Sequence, residues 1–278
     1  HFFDEKYRTG CGREWAGKAR TGSVPTLSHS RSTNALEGRE LGKGISRTPA
    51  KIVLPRLSPW VYEFRSTGCE EDAVLTGLMS QGWIVIEDAQ LVEATLIELG
   101  TIVEDRLLEA RSQHFSRAGT FSAMYGTAAF PWHSDGAHWP LPPRYLALCA
   151  VGPAVGSTLI VSSTRLLEAI PAPARRRVGH ATWSTKTRRG SFYSSIISQR
   201  NGRTLYRYDP LCMVPRNRDA ILVREAISAV GPDIADVRHD WRGGEMLIVD
   251  NWTHFHARSA VTSDRRMRRV YVNDGKCS

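Results

Sequence analysis

Two stretches of the sequence decide its fold: PWHSDG at positions 131–136 and DNWTHFHAR at positions 250–258. The first contains a His-x-Asp pair, His133 and Asp135. Side chains two residues apart on an extended strand point to the same face, so this imidazole and this carboxylate are expected to lie side by side. The second stretch supplies a distal histidine far along the chain. Together the two stretches predict one metal site with two histidines and one carboxylate.

The number and type of these ligands narrow the choice of metal. Two imidazoles and one carboxylate on one side of an ion are the ligand set of non-haem Fe(II) oxygenases, with three positions left open. Zinc hydrolases use related ligands. A His-x-Asp triplet is also common by chance in surface turns. The segment 243–251 strengthens the metal interpretation, because it reads as a turn, a buried strand and a second turn that leads into the distal histidine.

Further motifs follow in a fixed order around these ligands. Residues 156–159 give a Gly-x-Thr-Leu segment, and Trp241 begins a Trp-x-x-Gly-Glu turn. The pattern Asp-Asn-x-x-x-x-His-x-Arg selects His256 as the distal ligand, and several arginines precede a final strand. In these features, which extend from Trp60 to Asp274, the sequence resembles the TauD/clavaminate-synthase-like family of Fe(II)/2-oxoglutarate-dependent oxygenases.

The resemblance implies a specific set of metal ligands. Fe(II) is expected at His133, Asp135 and His256, with 2-oxoglutarate and O₂ as cosubstrates. His254 lies two residues before His256, so on a strand it faces the same way and is expected beside the site rather than in it. His138 follows in a Pro-rich loop too close to His133 to act as a further ligand.

The resemblance also assigns the groups that bind 2-oxoglutarate. Thr158 is expected to donate its hydroxyl, and Arg269, just before the strand at 270–272, is expected to bind the far carboxylate. Arginine suits this task because its planar fork matches a carboxylate with two parallel hydrogen bonds. Arg265 and Arg268 crowd the same segment and remain alternatives for this role.

The activity implied by the resemblance is that of a dioxygenase. It would oxidise an unactivated C–H bond of a small molecule, with release of succinate and CO₂. Hydroxylation is the expected outcome, although desaturation, epoxidation and cyclisation start from the same bond cleavage. Two alternatives remain: a nucleic-acid demethylase of the same superfamily, and a cupin-like metal-binding protein without activity. The sequence contains no recognisable base-flipping element, which argues against a nucleic-acid substrate.

The composition limits the classes of binding partner and the cellular compartment to be expected for this protein. Lys and Arg number 37 against 28 Asp and Glu, a net charge of +9, which favours an anionic or amino-acid-like substrate or a nucleic acid. The local arginine runs lack the interleaved aromatic residues of a stacking platform for bases. Five dispersed cysteines and no Cys-x-x-Cys pair indicate a reducing cytoplasm. No apolar run is long enough to span a membrane, and the sequence leaves the oligomeric state open.

The order of strand-like and helical segments predicts a mainly β protein with bracing helices around a double-stranded β-helix, the jelly-roll core also found in cupins. Residues 51–278 are expected to form this domain, and residues 1–50 an irregular N-terminal arm. Helices are predicted at 70–80, 91–113 and 219–229, the first burying Leu75, Leu78 and Met79. Asn201-Gly202 predicts a hairpin turn, and residues 182–198 are expected to contribute to a lid. Strands are predicted at 52–54, 60–64, 83–86, 121–130, 144–151, 158–162, 237–241, 246–249 and 268–272.

Overall fold

The computed structural model describes residues 69–275, except 111–112, 117–118, 153–155 and 263–264. The described residues all belong to one compact unit. The arm predicted at 1–50 and the strands predicted at 52–54 and 60–64 lie outside the described residues. The domain boundary at residue 51 therefore stays a prediction.

Helices and strands alternate along the described part of the chain. The helices are α1 (Cys69–Gln81), α2 (Ala89–Leu99), α3 (Phe121–Tyr125), α4 (Ser163–Ala169), α5 (Ala172–Arg175) and α6 (Arg218–Ser228). The strands are β1 (Trp83–Ile86), β2 (Gly100–Glu109), β3 (Phe130–His133), β4 (Tyr145–Ala150), β5 (Ser157–Ser162), β6 (Trp183–Lys186), β7 (Ser191–Ser194), β8 (Ile197–Arg200), β9 (Arg203–Tyr206), β10 (Met213–Pro215), β11 (Val237–Asp240), β12 (Met246–Asp250), β13 (His254–Arg258) and β14 (Arg266–Asp274).

Two antiparallel sheets form the body of the domain. A five-stranded sheet has the order β1-β12-β4-β14-β2, and a four-stranded sheet has the order β11-β5-β13-β3. An apolar layer joins their inner faces, with Leu148 and Val249 from the larger sheet packed in one cluster with Ile160 from the smaller. From β3 to β5 and from β11 to β14, successive strands alternate between the two sheets, as in a jelly roll. The predicted double-stranded β-helix is confirmed.

Helices cover the outer faces of both sheets. Helices α1 and α2 place Leu78 and Leu96 against Val270 of the larger sheet, and α4 and α6 place Leu166 and Val223 in one cluster with Phe255 of the smaller sheet. This arrangement confirms the bracing role predicted for helices. Within the described ranges, no helix combines the length and the apolar character needed to cross a membrane.

The first helix differs from its prediction in one detail. Leu78 is buried and Leu75 is partly buried, but Met79 is 80 % exposed. Successive residues on a helix are separated by about 100° of rotation, so Leu78 and Met79 do not share a narrow apolar stripe. The side of α1 that packs on the sheet is the one centred on Leu78.

The helix predicted at 91–113 is wrong in its second half. Helix α2 ends at Leu99, and the chain continues as the ten-residue strand β2, which pairs with β14. Gly100 makes the change of direction, with φ of 140°, and a Cβ there would lie 2.2 Å from the backbone oxygen of Asn273. Pairing with a distant strand therefore outweighs the preference for a helix that the spacing of the apolar residues indicates.

The strand predicted at 121–130 is also wrong over most of its length. Residues Phe121–Tyr125 form the short helix α3, which begins where the Thr120 hydroxyl accepts a hydrogen bond from the backbone of Ala123. A threonine that caps the first turn in this way favours a helix over an extended chain. Only Phe130–His133 is extended, as β3.

The hairpin and lid predictions have different outcomes. Asn201 and Gly202, both at positive φ, connect the paired strands β8 and β9, as predicted. In contrast, residues 182–198 contribute β6 and β7 to a three-stranded sheet with β10, and Trp183 is fully buried there. A segment held by strand pairing on this scale is part of the scaffold rather than a free lid.

Candidate metal centre and its surroundings

The three predicted metal ligands come together in the structure. His133 ends β3, and His256 lies directly opposite it on the neighbouring strand β13. Asp135 follows in the turn after β3. One ligand atom from each of these residues lies within 4.8 Å of the other two. The strand register therefore brings the two stretches that are distant in sequence to one point inside the domain.

The two histidines present the same ring nitrogen to the aspartate. Nε2 of His133 is 3.7 Å and Nε2 of His256 is 3.8 Å from Oδ1 of Asp135. Nδ1 of His133 lies 2.8 Å from the backbone oxygen of Pro131, which fixes the proton on Nδ1 and leaves Nε2 free as a ligand. Burial, with the nearby His133, lowers the pKa of His256 to about 3. His256 is therefore in the neutral form that binds metals.

Asn251 holds the turn that carries Asp135. Its side-chain oxygen accepts a hydrogen bond of 2.9 Å from the Asp135 backbone, and its amide donates to the backbone oxygens of Asp135 and Pro143. Gly136 has φ of 69°, and a Cβ there would lie 2.4 Å from Cδ of Pro143. Asn251, in the Asp-Asn pair before the distal histidine, thus supports the first ligand stretch, a function that sequence reasoning missed.

The second oxygen of Asp135 is bound from the opposite sheet. Oδ2 accepts a 2.8 Å hydrogen bond from the Tyr271 hydroxyl and a 3.4 Å contact from Nη1 of Arg269, both on β14. Burial opposes ionisation of Asp135, but Arg269, the two histidines and Tyr271 outweigh it and lower its pKa to about 2. The carboxylate is therefore ionised, with one oxygen toward the histidines and one toward β14.

The three arginines proposed for the cosubstrate have different surroundings. Arg268 is on the outer face of β14 and pairs with Asp105 and Glu93. Arg269 is on the inner face, where Nη2 donates to Glu104 at 2.8 Å in addition to the contact with Asp135. Arg265 pairs with no carboxylate of a described residue, its Nε has no hydrogen-bond partner, and burial lowers its pKa to about 10. Arg269, the expected carboxylate-binding residue, is thus already neutralised, whereas Arg265 is not.

Thr158 lies near a second buried guanidinium. It is buried on β5, directly opposite Arg258 of β13, and its hydroxyl accepts a 3.0 Å hydrogen bond from the indole of Trp241. Arg258 donates to the backbone oxygens of Gly126 and Ala128. Burial, with the positive charge of Arg265, lowers the pKa of Arg258 to about 10. The interior next to Thr158 thus contains two arginines, Arg258 and Arg265, that pair with no carboxylate of a described residue.

His254 and His138, the two histidines close to the ligands in sequence, lie outside the ligand group. The ring of His254 packs on Gly82, where a Cβ would lie 2.0 Å from its Cε1, and its Nδ1 is 3.0 Å from the Thr253 hydroxyl. His138 is exposed in the loop after Asp135. Both positions agree with the choice of His256 in the sequence pattern.

Aromatic side chains form a wall beside the metal ligands. The ring of Phe121 lies 4.3 Å from that of His133, and Phe121 also contacts Tyr125 and Phe130 at 5.9 and 5.2 Å between ring centroids. All three rings are half-buried. Phe121 and Tyr125 come from α3, a segment predicted as a strand, and Phe130 comes from β3, so sequence reasoning missed the wall.

Known proteins match this chain in both sequence and fold. Residues 63–231 match the model of the family described as taurine catabolism dioxygenase TauD, TfdA family. The 3-((Z)-2-isocyanoethenyl)-1H-indole synthase of Fischerella ambigua is 26 % identical over 178 residues, which is 54 % of this chain and 65 % of that protein. The chain thus matches slightly less than two thirds of the length of that relative.

Solved structures with the same fold have lower sequence identity. An asparagine oxygenase in complex with Fe(II), 3-hydroxyasparagine and succinate superposes with a TM-score of 0.58 at 15 % identity, over 74 % of this chain and 80 % of that one. PvcB of Pseudomonas aeruginosa superposes with a TM-score of 0.53 at 17 % identity, over 73 % and 79 % of the two chains. The family match covers more than half of the sequence and the fold agrees with it, so the chain belongs to the TauD, TfdA dioxygenase family.

Proposed function

We propose that this protein is an Fe(II)- and 2-oxoglutarate-dependent dioxygenase that hydroxylates a small, amino-acid-like molecule. The observation that carries the proposal is the group of His133, Asp135 and His256, whose ligand atoms lie within 4.8 Å of one another. Two imidazoles and one ionised carboxylate suit Fe(II) and leave room for other ligands. When bound there, Fe(II) would supply the activation of O₂ that couples decarboxylation of 2-oxoglutarate to oxidation of a C–H bond. In the balanced reaction one oxygen atom enters succinate and the other enters the product, with loss of CO₂.

The residues around the metal ligands have separate tasks in this proposal. Arg265 offers a partly buried guanidinium that pairs with no carboxylate of a described residue, which suits the far carboxylate of 2-oxoglutarate. Thr158 offers a hydroxyl in the same positive part of the interior. Arg269, the residue first expected to bind 2-oxoglutarate, remains the competing assignment, although Glu104 and Asp135 already neutralise it. A buried cation lacking an anion gains more from an incoming carboxylate than one that already has two.

The substrate class rests on the relatives and on the shape of the site. One neighbour is named as an asparagine oxygenase, and PvcB is described as an oxygenase from an isonitrile synthetic pathway. Both descriptions point to small molecules of amino-acid size. The half-buried wall of Phe121, Tyr125 and Phe130 offers an apolar surface next to the ligands. We therefore place small amino-acid-like molecules, including isocyano acids, first among candidate substrates.

Two other functions are outcomes of the same test. A nucleic-acid demethylase would release succinate with methylated oligonucleotides, and a metal-binding protein without activity would release none. We also place the protein in the cytoplasm, because Cys149 and Cys212 are free thiols.

A single assay separates these possibilities. The purified protein, loaded with Fe(II) under ascorbate, is incubated with carboxyl-labelled 2-oxoglutarate and panels of amino acids, isocyano acids and methylated oligonucleotides. We expect slow release of labelled CO₂ without substrate and faster, stoichiometric succinate formation with one amino-acid-like compound. His133→Ala serves as the matched inactive control. Absence of CO₂ release in every panel, with Fe(II) bound, contradicts the proposed activity.

A further inference from the structure

Asp135 differs from the two histidines in how its side chain is positioned. His133 and His256 lie on paired strands, where the backbone register sets their directions. Asp135 lies in the turn that follows β3. Asn251 holds the backbone of this turn but makes no contact with the carboxylate oxygens. The direction of the carboxylate therefore depends on contacts made by the carboxylate itself.

Those contacts divide the carboxylate into two halves. Oδ1 lies 3.7 and 3.8 Å from the Nε2 atoms of His133 and His256. Oδ2 is bound by the Tyr271 hydroxyl at 2.8 Å and approached by Nη1 of Arg269 at 3.4 Å. Both donors come from β14, in the sheet opposite the histidines. The carboxylate thus bridges the two sheets of the domain.

The donors on β14 are themselves fixed. Tyr271 is buried, and its ring packs edge-on against Trp139 at 5.4 Å. Arg269 is anchored on its other side by a 2.8 Å hydrogen bond to Glu104, and its guanidinium lies 4.4 Å from the centre of the Tyr271 ring. Donors held in this way act as a rigid support, because their side chains have little freedom to follow the carboxylate.

From this geometry we propose that Tyr271 and Arg269 are positioning residues that reserve Oδ2 of Asp135, so that only Oδ1 is presented to the metal. The inference rests on the proposed function, because it requires a metal at this site. A carboxylate with both oxygens free can bind a metal through both and fill a position that a cosubstrate needs. The support from β14 would thereby keep coordination positions of the metal open for the cosubstrate and also increase the affinity of the site for the metal.

The test measures metal binding without turnover. Co(II), which binds the same types of nitrogen and oxygen ligands as Fe(II), is titrated into the full-length metal-free protein, with visible absorption as the readout. The variant Tyr271→Phe removes the hydroxyl but keeps the ring against Trp139. Tyr193→Phe is the matched control, because Tyr193 lies on β7 and is 77 % exposed. A second variant, Arg269→Lys, keeps the charge but loses the fork, and it decides the question if Tyr271→Phe does not fold.

We expect Tyr271→Phe and Arg269→Lys each to weaken Co(II) binding by about 10- to 100-fold, as is usual when a partner of a metal ligand is removed. The absorption bands of bound Co(II) should also change in intensity, which a loss of stability alone would not cause. Wild-type affinity and an unchanged spectrum in the folded variants would overturn the positioning role and leave the proposed function intact. A wild-type protein that binds no Co(II) or Fe(II) would overturn both.

Discussion

Arg265 and Arg269 have the same side chain and lie four residues apart, yet their surroundings differ. Alternation along an extended chain points both into the interior, whereas Arg268 points outward. Arg269 is neutralised by Glu104 and contacts Asp135. Arg265 is partly buried, with its Nε inaccessible, and has no carboxylate partner among the described residues. The difference indicates that one arginine supports the protein's own carboxylate and the other is available to a carboxylate from outside.

Electrostatic cost explains why this difference is informative. A buried guanidinium without an anion loses much of its hydration and regains little, so such groups are rare unless a ligand completes them. For a guanidinium between two carboxylates, the ion pairs already offset the free energy that was lost with its hydration. Burial lowers the pKa of Arg265, while Asp135, with Tyr271 and Glu104, outweighs burial and raises the pKa of Arg269. We therefore propose that a dicarboxylate binds on the Arg265 side of the interior.

The largest effect is expected from the metal ligands, on which both arginine assignments depend. His133→Ala, Asp135→Ala and His256→Ala should each reduce 2-oxoglutarate turnover below detection, because two remaining ligands do not hold Fe(II) in a defined geometry. Succinate formation and Fe(II) content are measured together. His138→Ala is the control, since His138 is exposed and outside the ligand group. A fully active His256→Ala variant would move the distal ligand to another residue.

The next largest effect separates the two arginines. Arg265→Ala should raise the apparent KM for 2-oxoglutarate by at least about tenfold, because loss of a charge pair in a dry site costs about 2–5 kcal/mol and 1.4 kcal/mol is one decade. Affinity for Co(II) should stay near the wild-type value.

The matched variant Arg269→Ala should show the opposite pattern, with weaker Co(II) binding and a smaller change in the KM for 2-oxoglutarate. If Arg269→Ala instead gives the larger KM defect with unchanged Co(II) binding, the first assignment of Arg269 to the cosubstrate is correct. The pair of variants thus discriminates between the two assignments by comparing KM with metal affinity.

His133, Asp135 and His256 could be singled out from local sequence patterns, and the structure brings them together. Their role as metal ligands stays a prediction. The His-x-Asp pair and the strand before His256 are short patterns, and each constrains its own backbone. The strands at 83–86, 158–162 and 246–249 were predictable for the same reason, since each is a short apolar run between turn residues. The pairing of β3 with β13, which joins the two patterns, has no local signal in either stretch.

Features that depend on packing between distant segments were not predictable. Strand β2 has apolar residues that also fit a helix, and only its pairing with β14 makes it extended. The contact of Tyr271 with Asp135 crosses between the two sheets, so no local pattern signals it. The different pairing of Arg265 and Arg269 likewise depends on where Glu104 of β2 lies, in a segment whose secondary structure was predicted wrongly.

A smaller effect is expected at Thr158. Thr158→Val removes the hydroxyl that is proposed to donate a hydrogen bond to 2-oxoglutarate. Loss of a single hydrogen bond of about 1 kcal/mol corresponds to roughly a fivefold rise in the KM for 2-oxoglutarate. The same change leaves the buried indole N–H of Trp241 without its acceptor, which should lower the free energy of unfolding by about 1–3 kcal/mol.

Thr158→Ser separates these two consequences, because it keeps the hydroxyl at nearly the same place. It should restore both the KM and the unfolding midpoint in urea to near wild-type values. A normal KM in Thr158→Val, with reduced stability, would limit Thr158 to its structural contact with Trp241.

The smallest effect is expected at Arg268, which tests the register of β14. Its guanidinium pairs with Asp105 and Glu93, and all three side chains are partly exposed, at 30 %, 42 % and 50 %. Exposed ion pairs contribute about 0–1 kcal/mol, so Arg268→Ala should change the unfolding free energy only slightly. Because alternation directs Arg268 away from the interior, neither the KM for 2-oxoglutarate nor Co(II) affinity should change. A cosubstrate defect in Arg268→Ala, absent from Arg265→Ala and Arg269→Ala, would mean that β14 is shifted by one residue and that the inner and outer faces are exchanged.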